Sequence, residues 1–337
     1  EVERMCGLLR DGLAAGALGF SSSWSNTHND TEGHMVPSRY SSRGELLALC
    51  AVLADFEGTS LEFIPKVGAF EQDTLDLMAE MSVLAKAPLN WNVLPAHASN
   101  KAEREQKLRG GDVAAARGGK VVGLTAPMTL NFRLSFTHGF LLDTVPGWED
   151  VMLLPKADKL ALLADPAERR RLGELATADH PLRHFTNWPR MIIHDTFDPA
   201  NAGCVGRTIG DIAEERGLSP WDALCEIVIA DDLRTSFGHP KPEHEPIELW
   251  EARVETWRDP RAVVGASDAG AHLDMFLSAN YATVMLGEAV VQRGMMPIEE
   301  AVRLLTAVPA DLYGIVDRGR LVEGAYADLV ALCEEAG

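Results

Sequence analysis

Arg261–Phe276, RAVVGASDAGAHLDMF, decides how the rest of the chain is read. Ala262, Val263 and Val264 form a short apolar, β-branched run that marks a buried strand. Small residues from Gly265 to Gly270 end the run, and a helix is expected from about Leu277. A carboxylate, Asp268, and an imidazole, His272, thus follow directly on a strand end. In parallel α/β folds polar groups converge on ligands at C-terminal strand ends, and in eight-stranded barrels the chemistry sits on that rim. An aspartate there acts as metal ligand, general base or both; otherwise it caps the next helix or tightens the turn. Ser267 is not a nucleophile-elbow serine, because the fifth residue of the G-x-S-x-G pattern is Ala269.

Upstream of this stretch, strands and helices alternate. Strands are expected at Ala17–Ser23, Ser60–Val67, Pro88–Pro95 and Gly119–Pro127, each running into small or polar residues. Between them the apolar residues of Arg43–Phe56, Glu71–Lys86 and Lys101–Arg117 recur at helical spacing, as do Val2, Met5, Leu8 and Leu9 in the first ten residues. Alternation at about 30-residue intervals implies a parallel sheet with helices packed on it. With Arg261–Asp268 this makes five strands of one type.

A long insert, Met128–Pro260, separates the fourth strand from the fifth. Trp148–Ala178 is expected to be helical, and Asp179–Asn201 is rich in His, Arg and Trp. Two further helices are expected at Thr208–Arg216 and Ser219–Asp232, with Ser219 as N-cap and Pro220 at the first helical position. Inserts of this size on a catalytic face form lids or specificity walls. After the fifth strand, Pro297–Thr306 is an amphipathic helix. Arg318–Leu332 reads as two short strands around Gly324 in a small β-unit, so the expected division is 1–317 and 318–337.

Composition narrows the function classes. A formal charge of −19 and a pI near 4.9 argue against nucleic acid and anionic membrane as partners. No run approaches the roughly 20 apolar residues of a membrane span. The five cysteines are odd in number and scattered, without C-x-x-C, which points to reduced thiols in a cytoplasmic setting. Glu1–Arg10 reads as the middle of a helix rather than as a signal peptide.

Four segments together resemble the amidohydrolase superfamily, and within it the N-acyl-D-amino-acid deacylase (D-aminoacylase-like) branch. They are AGALGFSSS (15–23), GRTIGDIAEERG (206–217), VVGASDAGAH (263–272) and LLTAVPADLYGIVDRGRLVEGAYADLVAL (304–332). The resemblance implies a metal-dependent (β/α)8 barrel of the TIM type, seen here from about its fourth strand, with part of a small β-sandwich at the C-terminus. It implies a divalent metal, zinc by expectation, and it makes Asp268 the proton shuttle and a metal-contacting residue. The family's His-x-His pair on the first strand is absent. The chain is therefore expected to be a C-terminal portion whose primary metal ligands lie in an upstream segment. At the family's later histidine positions the sequence reads Ile64-Pro65-Lys66 and Asn92-Val93-Leu94, with His97 a few residues on. Lys66 (as a bridging carboxylated lysine, or simply exposed on the rim) and His97 are the candidate ligands there.

Other residues are weighed for substrate contact. His272 and Ser267 adjoin the shuttle position. Arg183, Arg190 and Arg207 in the insert are candidates to hold a substrate carboxylate, since a guanidinium grips carboxylates bidentately. His28 and His34 sit in the loop after the first strand, and His239 and His244 in a Pro-rich loop. His180 and His184 are four apart, but Pro181 opposes a helical metal pair. His194 and Asp195 form either a His–carboxylate pair in the insert or a satisfied structural pair. The expected activity is metal-dependent hydrolysis of an amide C–N bond in a small N-acyl-D-amino acid or similar compound. A cyclic amidase, another amidohydrolase branch and a metal-free ligand-binding barrel are the alternatives. A homo-oligomer is compatible with the reading.

Overall fold

The computed structural model describes residues 1–30, 34–137, 141–180, 183–240, 244–267, 269, 275 and 278–331. In chain order, the elements begin with α1 (Val2–Ala14), β1 (Gly19–Ser23), α2 (Arg43–Val52), β2 (Ser60–Ile64), α3 (Gln72–Ala85), β3 (Leu89–Trp91), α4 (Lys101–Ala116) and β4 (Val121–Thr125). The insert carries α5 (Glu149–Leu153), α6 (Lys156–Ala164), α7 (Pro166–Thr177), β5 (Ile192–Asp195), α8 (Ile209–Arg216), α9 (Pro220–Ala230), β6 (Ser236–Gly238) and α10 (Ile247–Arg258). The chain then forms β7 (Ala262–Val264) and α11 (Tyr281–Val284), which continues as a π-helical stretch, Met285–Gln292. The last helices are α12 (Ile298–Leu305) and α13 (Ala307–Leu312).

Five strands form one parallel sheet in the order β1-β2-β3-β4-β7. β2 alternates buried with half-buried residues, whereas β3, β4 and β7 are buried on both faces. Leu61, Phe63, Leu89, Trp91, Val121 and Ala262 turn toward a single core shared with residues of α1–α4, among them Leu46, Cys50, Met78 and Leu108. Close packing shows at Gly123, where a Cβ would lie 2.7 Å from Cζ2 of Trp91. The strands are shorter than the sequence predicts: β1 at its start, β2 at its end, and β3, β4 and β7 at both ends. At β2 the ladder stops at Ile64 because Pro65 has no N–H to donate.

The insert has its own core, dominated by aromatics: Phe136, Trp148, Trp188, Trp221 and Phe237 are all buried. Trp148 lies 5.4 Å from Trp221 and 6.1 Å from Trp188, ring centre to ring centre, and its Nε1 donates to the Leu172 carbonyl at 3.1 Å. The expected helix over 148–178 is three helices, because Pro155 and Pro166 interrupt it. Asp165 caps α7 by accepting from Ala167 N at 2.8 Å and Glu168 N at 3.1 Å. Ser219 caps α9 as predicted, accepting from Asp222 N at 3.1 Å with Pro220 at the first turn. β5 and β6 pair antiparallel, a ribbon the sequence reading lacks. α10 packs Trp250 and Trp257 against Val264 of β7, so the insert returns directly into the five-stranded sheet.

Leu277, the expected helix start after the last strand, lies outside the described residues, and α11 begins at Tyr281. One expectation is corrected. Arg318–Leu332 does not form two strands: among the described residues, 318–331 carry no strand at all. A turn closes at Gly324 (φ 89°), and Arg318 stacks over the Tyr326 ring at 4.1 Å while bonding Asp328 at 2.9 Å. The alternating pattern there has no neighbouring strand among the described residues to pair with, and a lone ribbon is marginal in water. Val316, Leu321 and Val330 are accordingly exposed.

Among the described residues no helix is long and apolar enough to cross a membrane. Cys6, Cys50, Cys204 and Cys225 are free, and burial pushes the Cys50 thiol up to about 12.

Candidate active site

Parallel strand order sets which side chains stand together on the face turned away from α1–α4. Register places Ser21, Glu62, Asn90 and Val122 in one row across β1–β4. One pleat further toward the C-terminal ends come Ser23 and Ile64, with Leu124 opposite Val263. The face is therefore polar over β1–β3 and apolar over β4 and β7. Leu312 of α13, with Val308 and Tyr313, covers the apolar half by packing on Val122, Leu124 and Val263.

The polar half holds a network with open valences. Asn92, just past the end of β3, donates its amide Nδ2 to the Glu62 carboxylate. Asn92 Oδ1 is buried and has no partner. Asn90, 2% exposed, accepts from the Tyr313 hydroxyl at 3.3 Å through Oδ1, while its buried Nδ2 has no partner. Burial, and secondarily the nearby Glu62, pushes the Tyr313 phenol up, so it stays a hydrogen-bond donor. A buried polar group left unpaired costs about 1–3 kcal/mol. The network thus leaves one buried amide donor and one buried amide acceptor unpaired beside a carboxylate.

The residues singled out in the sequence fall as follows. Asp268 and His272 lie outside the described residues. Ser267 is half-buried at the end of β7, its Oγ accepting from Ala269 N at 3.3 Å, and it follows Ala266, whose φ of +57° is strained for a residue with a Cβ. Lys66 forms an ion pair with Glu71 at the start of α3, and that contact holds the Glu71 carboxyl low. His97 opens a short helical turn, its N–H donating to Asn100 Oδ1 at 3.0 Å and its carbonyl accepting from Arg104 at 3.1 Å. Burial and then Arg253 lower the His97 imidazole, and a neighbouring guanidinium opposes a bound cation as well. Arg183 and Arg190 sit exposed on helical turns of the insert, and Arg207 pairs with Glu215 at 2.6 Å.

His194 and Asp195 are adjacent on β5 without bonding each other. Asp195 pairs with Arg133 and accepts from Ser236 Oγ at 2.6 Å, whereas His194 Nε2 is buried and unpartnered. His180 and His184 do not form a helical pair: His180 Nε2 lies 3.4 Å from the Ala176 carbonyl, and His239 Nε2 lies 2.8 Å from the His184 carbonyl.

Among the described residues no group of three or more His, Cys, Asp or Glu side chains is placed to hold a metal ion. Glu62 and Asn92 together bring one carboxylate and one amide oxygen, short of the roughly four donors, rich in His and Cys, that zinc takes. The described side chains by themselves do not fit a zinc centre.

Glu62, Asn90, Asn92 and Tyr313 were missed in the sequence. The signal was available in SLEFI and LNWN, where polar residues alternate with buried apolar ones on strands already recognised.

The protein-family profile described as the amidohydrolase family matches residues 1–336. Among curated proteins, an uncharacterized protein of Mycobacterium tuberculosis is 33% identical over 133 residues, which is 38% of this chain and 21% of that protein. N-acyl-D-glutamate deacylase of Alcaligenes xylosoxydans xylosoxydans is 46% identical over 48 residues, 14% of this chain and 10% of that enzyme. Among solved structures, N-acyl-D-glutamate deacylase from Bordetella bronchiseptica, complexed with zinc and a phosphonate inhibitor, superposes with a TM-score of 0.55 at 18% identity. The match covers 97% of this chain and 55% of that one. A D-aminoacylase structure gives a TM-score of 0.52, also at 18% identity, with the same coverage. At that identity the likeness is one of fold. The chain spans about half the length of the solved structures it matches.

Proposed function

The chain belongs to the amidohydrolase family, and from that premise we propose that the full-length protein hydrolyses the amide C–N bond of a small N-acyl compound, an N-acyl-D-amino acid or a close analogue. The observation that carries this reading is the complementary pair on the strand rim. Asn90 Nδ2 is an unpaired donor and Asn92 Oδ1 an unpaired acceptor, both buried. An amide carbonyl and an amide N–H are the groups that meet them.

In this reading Asn90 and Asn92 orient the scissile amide, and Glu62 fixes Asn92 by accepting from its Nδ2. Tyr313 holds Asn90 from below, and the apolar cover of Leu312 and Val308 excludes water from the floor. Such positioning lowers the barrier by holding reacting groups close to attack geometry. Asp268, after β7, is the proton carrier: its carboxylate takes the proton of the attacking water and delivers it to the departing amine. A divalent metal, zinc by the expectation from sequence, would be held through side chains beyond the described ones.

The test uses the full-length protein with N-acetyl derivatives of D- and L-amino acids, scoring free amine. Release from the D series is expected. Asn92→Leu should raise KM about tenfold or more with a smaller change in kcat, since it removes binding made before the chemical step. Failure to release amine from any N-acyl compound overturns the proposal.

A further inference from the structure

A cleft of about 250 Å³ opens between the rim loop after β1 and the beginning of the insert, with Asn29 and Arg39 on one wall and Asp143 and Glu149 on the other. Asp143 is presented by a tight helical turn, Leu142–Thr144, which is anchored because Leu142, Val145 and Trp148 are fully buried beneath it. Its Oδ2 accepts from Asn29 Nδ2 at 3.1 Å; its Oδ1 is buried and has no partner. Across the cleft, Arg39 donates through Nη1 to Asn29 Oδ1 at 2.5 Å and to the His28 carbonyl at 3.3 Å. Its Nη2 makes no bond among the described residues. Burial pushes the Asp143 carboxyl up, against the opposing pull of Asn29 and Arg39.

These walls offer an unmet carboxylate oxygen and an incompletely used guanidinium, bridged by one amide side chain. An unmet buried oxygen calls for a strong donor. A guanidinium with open N–H groups calls for a carboxylate. The volume lies below the roughly 300–1,000 Å³ of sites for drug-sized ligands, so the ligand is small. We propose that this cleft binds a free α-amino acid as its zwitterion, the ammonium donating to Asp143 Oδ1 and the carboxylate held by Arg39. Glu149 adds a second carboxylate to the wall that carries Asp143. An isolated amine would leave Arg39 unused, and an isolated carboxylate would leave Asp143 unmet. The proposal goes beyond amide hydrolysis and does not depend on it: binding in this cleft is measurable in a protein that cleaves nothing.

Calorimetric titration of the full-length protein tests it with D- and L-alanine as probes, and ethylamine, acetate and N-acetylalanine as one-ended controls. At least one alanine enantiomer is expected to bind about tenfold or more tightly than every control. Asp143→Asn and Arg39→Met should each weaken that binding about tenfold or more. Should Asp143→Asn fail to fold, Glu149→Gln replaces it, since a glutamine oxygen still accepts from Gly147 N; about threefold weaker binding is then expected. Equal binding of N-acetylalanine or ethylamine, unaltered binding in the variants, or no binding of either alanine overturns the proposal. Amine release in the hydrolysis assay reports on the strand rim separately.

Discussion

Asn92, just past the end of β3, and Glu62 of β2 lie thirty positions apart, yet Asn92 Nδ2 donates to the Glu62 carboxylate while Asn92 Oδ1 stays buried and unpaired. The bond fixes which end of the Asn92 amide faces the rim. A glutamine at position 62 offers both a donor and an acceptor, so the orientation of Asn92 is no longer enforced. Glu62→Gln is expected to leave the fold intact and to lower kcat/KM about tenfold or more. Steady-state kinetics beside a melting curve checks this; unchanged kinetics would remove Glu62 from the site.

Asp268 follows β7 directly in sequence. Asn is nearly isosteric with Asp but cannot accept the proton. Asp268→Asn is therefore expected to cut turnover about 100-fold or more with little loss of stability. Near-parental turnover would end its assignment as proton carrier.

Trp148 is fully buried where Phe136, Trp188 and Trp221 meet. Trp148→Ala leaves a large cavity and removes the indole N–H that also bonds the Leu172 carbonyl. It should destabilise the protein by about 3–5 kcal/mol, read from the urea midpoint. A loss under about 1 kcal/mol would mean that this core refills.

Gly123 in β4 leaves room for the Trp91 ring, with 2.7 Å from a virtual Cβ to Cζ2. Gly123→Ala forces the indole or the strand to move and should cost about 1–3 kcal/mol, despite the gain in β-propensity. Pairing it with Trp91→Phe should recover part of the loss, a coupling measurable in a double-mutant cycle.

The Asp143 carboxyl is raised above its ordinary value of 3.8 by burial. A raised carboxyl favours the folded state fully below that ordinary value, and the contribution is lost as pH rises through the folded pKa. Asp143→Asn removes the cost of the buried charge while keeping an acceptor for Asn29. The variant is expected to melt above the parent at neutral pH, with the gap closing as pH falls toward 3.8. A gap of the opposite sign, or one independent of pH, would contradict the burial argument.

The sequence by itself determined the parallel α/β architecture and the helices around it. Hydrophobic period is a local property: Val263 and Val264 mark a strand, and Leu46, Cys50 and Leu53 mark a buried helix face, whatever lies elsewhere in the chain. Caps are equally local, which is why Ser219-Pro220 was legible as a helix start. Tertiary structure decided everything that depends on register and partnership. Only the pairing of Leu61 with Leu89 and of Glu62 with Asn90 sets Glu62, Asn90 and Asn92 on one face and closes the Glu62–Asn92 bond. The ribbon of β5 and β6 joins segments over forty residues apart, so neither IIHD nor SFG announces it alone. Arg318–Leu332 shows the converse: its alternation is strand-like, but strands form only against a partner, and the described residues place none beside it. The cleft of Arg39 and Asp143 arises because Asn29 bridges a rim loop to an insert turn more than a hundred residues away, a contact created by folding and written in no local pattern.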